Sequence, residues 1–172
     1  MKMKPLMPEA RGPRAALYAA QFEAAQQDFI RLVESLTDEQ WRKVGRNYPK
    51  QMNEEDEGRP VGVIAHHAAI SGPLIIGRIQ RMLEGQPLAP VDMRTVNAAH
   101  SEEQAGVTSE RVLEVLRSTQ PQIAAAVRAI PDSQLDEPRD TPAGPMSAAQ
   151  RLERVLIGHL ATHRGSIEAA IS

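Results

Sequence analysis

The stretch Val61–Leu83 constrains the fold most, because apolar side chains surround most of its circumference when it is wound as a helix. Val63, Ile64, Ala68, Ile70, Ile75, Ile79 and Met82 fall on different sides, so no broad polar face remains for water. A helix of that kind has to be enclosed by other elements. Three further stretches have the period to enclose it. From Arg14 to Leu36, Ala16, Phe22, Phe29, Leu32 and Val33 form one side, while Glu23, Gln27, Arg31 and Glu34 form the other. A third helix runs from a Thr108 or Ser109 cap to Ile130 on Val112, Leu116, Ile123 and Val127. A fourth runs to Ile171 on Leu152, Val155, Leu156 and Ile167. The expected fold class is all-α: a four-helix bundle with short extra helices and one long crossover connection.

Local signals divide the chain. Residues 1–13 hold prolines and glycine without a period and read as an N-terminal arm, leaving 14–172 as a single domain. Thr37-Asp38-Glu39-Gln40 and Ser147-Ala148-Ala149-Gln150 have the spacing of capping boxes. The first opens a short helix carrying Trp41, read as a plug at the bundle end. Pro60 suits a first helical turn, and Pro73 and Pro121 predict bends inside long helices. Gly45 to Arg59, with the acidic run Glu54-Glu55-Asp56-Glu57, reads as a solvated loop. Residues 85–107 show no clear period and form the long connection, with a helical turn possible at Asn97–His100. Ser35–Trp41 also echoes Ala129–Leu135, each following a long helix. If the echo reflects two similar helix pairs, the second and fourth long helices lie side by side.

Several function classes drop out on composition. There is no cysteine, so disulfides, thiolate ligands and a cysteine nucleophile are excluded. The net charge is −2 with acids and bases interspersed, so no basic face offers itself to nucleic acid or an anionic membrane. Neither a membrane span nor an apolar run of signal-peptide length after Met1–Pro5 is evident, and a cytoplasmic protein is expected.

The chemistry concentrates in histidines. His159 and His163, four residues apart, share one helix face among core positions and could reach one metal ion, or could be core histidines bonded to carbonyls or carboxylates. His66 and His67 lie in the first half of the second long helix, and periodicity does not choose between them. One of them with His159 and His163 would make three nitrogen ligands with an open position for water or substrate. His100, on the connection, could be a general base, a substrate contact, a further ligand or an ordinary loop residue. Arg164 is placed to pair with Glu168 at i+4.

Two motifs carry a family resemblance. Val61-Gly62-Val63-Ile64-Ala65-His66-His67 resembles the V-G-x-x-x-x-H pattern of the DinB-like bundle family. His159-Leu160-Ala161-Thr162-His163-Arg164-Gly165-Ser166-Ile167 resembles its closing H-x-x-x-H-R-G-Q-[LI] motif. The resemblance covers about residues 14–171, including mycothiol-dependent maleylpyruvate isomerase-like relatives. It departs at Arg59, where tryptophan is frequent, and at Ser166, where glutamine is usual, so the mouth of the site is expected to differ. The resemblance implies His67, His159 and His163 as metal ligands, with His66 a neighbour and alternative. It implies a divalent metal (zinc or nickel, or iron), a small-molecule substrate and commonly a homodimer. The activity it implies is a thiol-dependent transferase or isomerase using a low-molecular-weight thiol such as mycothiol or bacillithiol. His100 stands as the catalytic candidate. A metal-assisted hydrolase and a non-catalytic metal- or ligand-binding module are the alternatives.

Overall fold

A computed structural model describes residues 12–46 and 52–172. The proposed arm therefore lies almost wholly outside the described residues, and Pro13, assigned to it above, is already the first helical residue. The elements are α1 (Pro13–Ser35), α2 (Asp38–Arg42), α3 (Val61–Leu83), α4 (Met93–Glu103), α5 (Ser109–Arg128), α6 (Ala148–Arg151) and α7 (Gly158–Ile171). One-turn 3-10 helices occupy Glu54–Asp56 and Asp132–Gln134, and a π-helical segment, Leu152–Ile157, makes α6 and α7 one continuous helix. No described helix is long and apolar enough to cross a membrane.

Four long helices form the bundle, as the periodicity predicts. α1 packs on α5 and α7, and α3 packs on α5 and α7. α1 and α5 are antiparallel, since Glu34 meets Arg117 while Glu23 meets Arg128. α3 starts beside the end of α2, where Val44 bridges Pro60, and α5 starts at the same end, where the Trp41 indole N–H donates to the Val107 carbonyl at 2.9 Å. The long helices therefore run up, down, down and up. The parallel step from α3 to α5 needs the long connection, and α4 is its return leg. The echoed segments end the antiparallel helices α1 and α5, and α3 and α7, which carry His66, His67, His159 and His163, are indeed neighbours.

Caps set the boundaries. Both capping boxes are formed, Thr108 accepts from the Arg111 N–H, and the Asp92 carboxylate accepts from the Thr95 N–H to start α4. α3 and α5 continue through Pro73 and Pro121 without a break in helical assignment. α3 buries Val61 through Ala69 without interruption, as its all-round apolarity requires.

Gly62 marks a close approach at the upper end. A methyl group there would stand 2.6 Å from the Trp41 ring, so glycine leaves the room that the indole occupies against α3. Gly62→Ala is expected to cost about 1–3 kcal/mol by overpacking, lowering Tm by roughly 2–12 °C in a circular-dichroism melt. An unchanged Tm would mean that the ring is free to move aside.

Candidate metal centre

Three imidazoles converge between α3 and α7. His67 is the seventh residue of α3, in its second turn. His159 and His163 occupy successive turns of α7 and face it. The His159 Nε2 atom lies 3.2 Å from His67 Nε2 and 3.1 Å from His163 Nε2. One ring nitrogen from each of the three lies within 4.8 Å of the others. Ligands about 2.0–2.1 Å from one cation would stand about 2.8–3.4 Å from each other between octahedral and tetrahedral arrangements. The donor set fits a divalent ion of the zinc, nickel or iron type, which imidazole suits.

A carboxylate behind the cluster orients one of these rings. Asp56 is fully buried, and its Oδ2 accepts from His163 Nδ1–H at 2.6 Å. A carboxylate can only accept, so Nδ1 carries the proton and Nε2 is the nitrogen left for a cation. Asp56 Oδ1 accepts from Arg59 Nη1 at 3.1 Å. Burial acts to raise the Asp56 carboxyl, but His163, Ser166 and Arg59 outweigh it and hold it below its usual range. The acidic run is therefore not uniformly a solvated loop. Glu54, Glu55 and Glu57 are exposed, but Asp56 turns inward from the 3-10 turn. Period and spacing could not single it out; the sequence signal was a carboxylate three residues before an arginine that replaces the usual tryptophan.

Both departures from the family pattern touch this loop. Arg59 is buried and supplies the countercharge to Asp56. Ser166, also fully buried, accepts from the Asn53 backbone N–H at 3.1 Å, tying the loop to α7. Arg164 pairs with Glu168 at 2.8 Å, on the outside of the helix.

His66 and His100 form a second pair. His100 lies on α4 rather than on an irregular loop, and it is the one buried residue of that helix. Its Nε2 meets His66 Nδ1 at 2.8 Å, and its Nδ1 has a long 3.5 Å contact with Arg59 Nη2. Because Arg59 only donates, His100 Nδ1 accepts and its Nε2–H donates to His66. His66 is thus engaged with His100, while His67 faces α7. The His67 and His100 rings meet edge to face, 5.7 Å between centroids.

Their surroundings favour the neutral form of His66, His67, His100 and His159, the form in which nitrogen can coordinate. Burial, then the neighbouring His163 and His159, lowers His67 to about 3. Burial and His163 lower His159 to about 4, with Asp56 acting against them. Burial, His66 and Arg59 lower His100 to about 4, and burial also lowers His66.

Two cavities flank the region, and none of the three converging histidines lines either. One of about 450 Å³ lies at the bundle end around Trp41 and the α4–α5 turn. The other, about 360 Å³, lies between the Glu54–Asp56 turn and α4 and includes Arg59.

A family model described as DinB superfamily matches residues 21–167, and the chain belongs to that superfamily. No curated protein and no solved structure gives a significant match.

The depressed imidazoles set a pH dependence. Unfolded histidines take up protons near pH 6.5, whereas folded His67 and His159 do so only near 3 and 4. Between those limits the unfolded state binds more protons, so stability falls as pH falls. Chelator-treated protein should show Tm dropping from about pH 6.5 toward 4, with a shallower slope in His159→Ala. A flat profile would contradict buried, neutral His67 and His159.

Proposed function

We propose that this DinB-superfamily chain is a divalent-metal-dependent enzyme in which His67, His159 and His163 hold the ion, and that it acts as a thiol-dependent transferase or isomerase on a small molecule. The observation that carries the reading is the convergence of three imidazole nitrogens, two of them 3.1 and 3.2 Å from the third. An ion bound there supplies Lewis acidity, which lowers the pKa of a coordinated thiol or water toward neutrality.

The chain's own residues supply orientation. Asp56 holds the Nδ1 proton of His163 and fixes the ring's direction. His163, Ser166 and Arg59 together keep Asp56 ionised, and the Arg59 guanidinium pairs with it at 3.1 Å. The nucleophile has to come from outside, because the chain has no cysteine. Hydrolysis is the weaker reading, because it needs a free carboxylate base. The nearest carboxylate, Asp56, has one oxygen on His163 and the other on Arg59. His100 likewise has both nitrogens occupied by protein groups, which favours a positioning role, docking α4 against the metal-bearing end of α3. A homodimer is consistent with large apolar side chains exposed on α3 and α4, such as Leu74 and Val96.

Elemental analysis of untagged protein tests the centre. Near one divalent ion per chain is expected in the wild type and essentially none in His159→Ala/His163→Ala, with far-UV helicity retained. No ion in either protein, both folded, would overturn the proposal and leave a ligand-binding bundle. Asp56→Asn is expected to weaken zinc affinity about 10–100-fold in chelator competition. Metal-loaded wild type should transfer a low-molecular-weight thiol to an electrophile, and the double variant should not.

A further inference from the structure

We infer that Arg78 and Arg151, at the lower end of the groove between α3 and the last helix, bind the carboxylate or phosphate end of a small molecule. The site uses no residue of the metal centre and does not rest on an ion being bound there.

Arg151 ends α6 and is only 8% exposed. A charge taken out of water is tolerated when it is paired, yet no group among the described residues accepts from this guanidinium. Its Nε is sealed from solvent without a partner, whereas the two unbonded Nη atoms still meet solvent. They are the edge that an outside group can reach. The next acidic residue of the helix, Glu153, is taken up by the Tyr18 hydroxyl at 2.6 Å. Glu84, just beyond α3, is taken up by the Gln86 amide at 2.8 Å.

The charged group that does act on Arg151 is a second cation. Burial first and Arg78 next hold the Arg151 guanidinium below its ordinary value. Arg78 gives one Nη to the Ala89 carbonyl at 3.0 Å, and it too has no carboxylate among the described residues. A carboxylate or phosphate accepts from both guanidiniums and replaces their repulsion by attraction. A cation would add a third like charge. A neutral ligand would leave the buried charge uncompensated.

The pair continues the faces that carry the histidines. Arg78 follows His67 by eleven residues, three turns, so the two share a face of α3 within about 20°. Arg151 precedes His159 by eight residues, and the residue inserted by the π segment reduces that to two ordinary turns. At about 1.5 Å per residue, the arginines lie roughly 11–16 Å from the cluster along the groove. α6 and the π segment both pack on α3 there. A molecule held by its acidic end at the arginines would extend toward the histidines, and that extension alone rests on the metal reading.

Titration of the full-length, 15N-labelled protein with inorganic phosphate and with succinate, read by amide chemical shifts, tests the site. Sodium chloride at matched ionic strength is the control. Saturable shifts around Arg78 and Arg151 are expected with phosphate or succinate and not with chloride, and the two probes separate the two sources of the anionic group. Arg78→Gln and Arg151→Met should each weaken binding about tenfold or more, while Arg78→Lys, which keeps the charge, should stay within about threefold. Arg151→Met should also melt no lower than wild type in chloride, because it removes an uncompensated buried charge. If it does not fold, Arg78→Gln decides. The His159→Ala/His163→Ala protein should bind the anion as wild type does, so loss of the metal centre and loss of this site are told apart. No saturable shift with either probe would overturn the inference and mean that solvent alone serves Arg151. Wild-type affinity in Arg78→Gln would overturn it by placing the anion elsewhere.

Discussion

The buried Asp56 carboxylate, held between His163 and Arg59, is the interaction on which the upper end of the bundle depends. A charge taken out of water is tolerated only when it is paired and hydrogen-bonded, and Asp56 is both. Its two oxygens join a loop to α7 on one side and back to the start of α3 on the other. Arg59 in turn reaches His100, so α4 is drawn into the same network. The loop, the histidine-bearing helix α7 and the crossover helix are therefore held by one group of charges and dipoles. Disturbing any of them exposes the cost of the rest.

That network lies outside the repeat-like framework. α1 with α5 and α3 with α7 form two antiparallel pairs, and the histidine cluster lies on the second pair. The framework alone brings His67 opposite His159 and His163. Choosing the tautomer of His163 takes Asp56, which comes from an irregular segment with no counterpart in the echo. Coarse position thus comes from helix packing and fine orientation from a loop, a division that suits a family able to vary its loops on a constant bundle.

How much was legible follows from how each feature is written in the chain. The four long helices announce themselves because a bundle imposes a 3.6-residue apolar period, and one capping box marks the start of the last of them while the other opens the short α2. α4 did not, because only His100 of its residues is buried, so it has no apolar stripe to read. Asp56 escaped for a related reason. Burial of one acidic residue within a run of four depends on a distant arginine and histidine, and no local pattern encodes it. The alternative between His66 and His67 was left open by an all-apolar helix. The family pattern pointed to His67, and the geometry turns His66 toward His100 instead. The widened π turn also has no signature in apolar spacing.

That turn stores a spare residue. Across Leu152–Ile157 the Gly158 N–H reaches back five residues, to the Glu153 carbonyl, so the segment carries one residue more than an α-helix would need. Deleting one of those residues would restore ordinary winding with little net rotation, because the wider turn carries its extra residue without advancing the helix face. His159, His163 and Ser166 would keep their facing. A deletion in the regular turns between His159 and His163 would instead rotate everything beyond it by about 100°. The chain can thus shed a residue at the wide turn at far less cost to the histidine cluster than one turn further on.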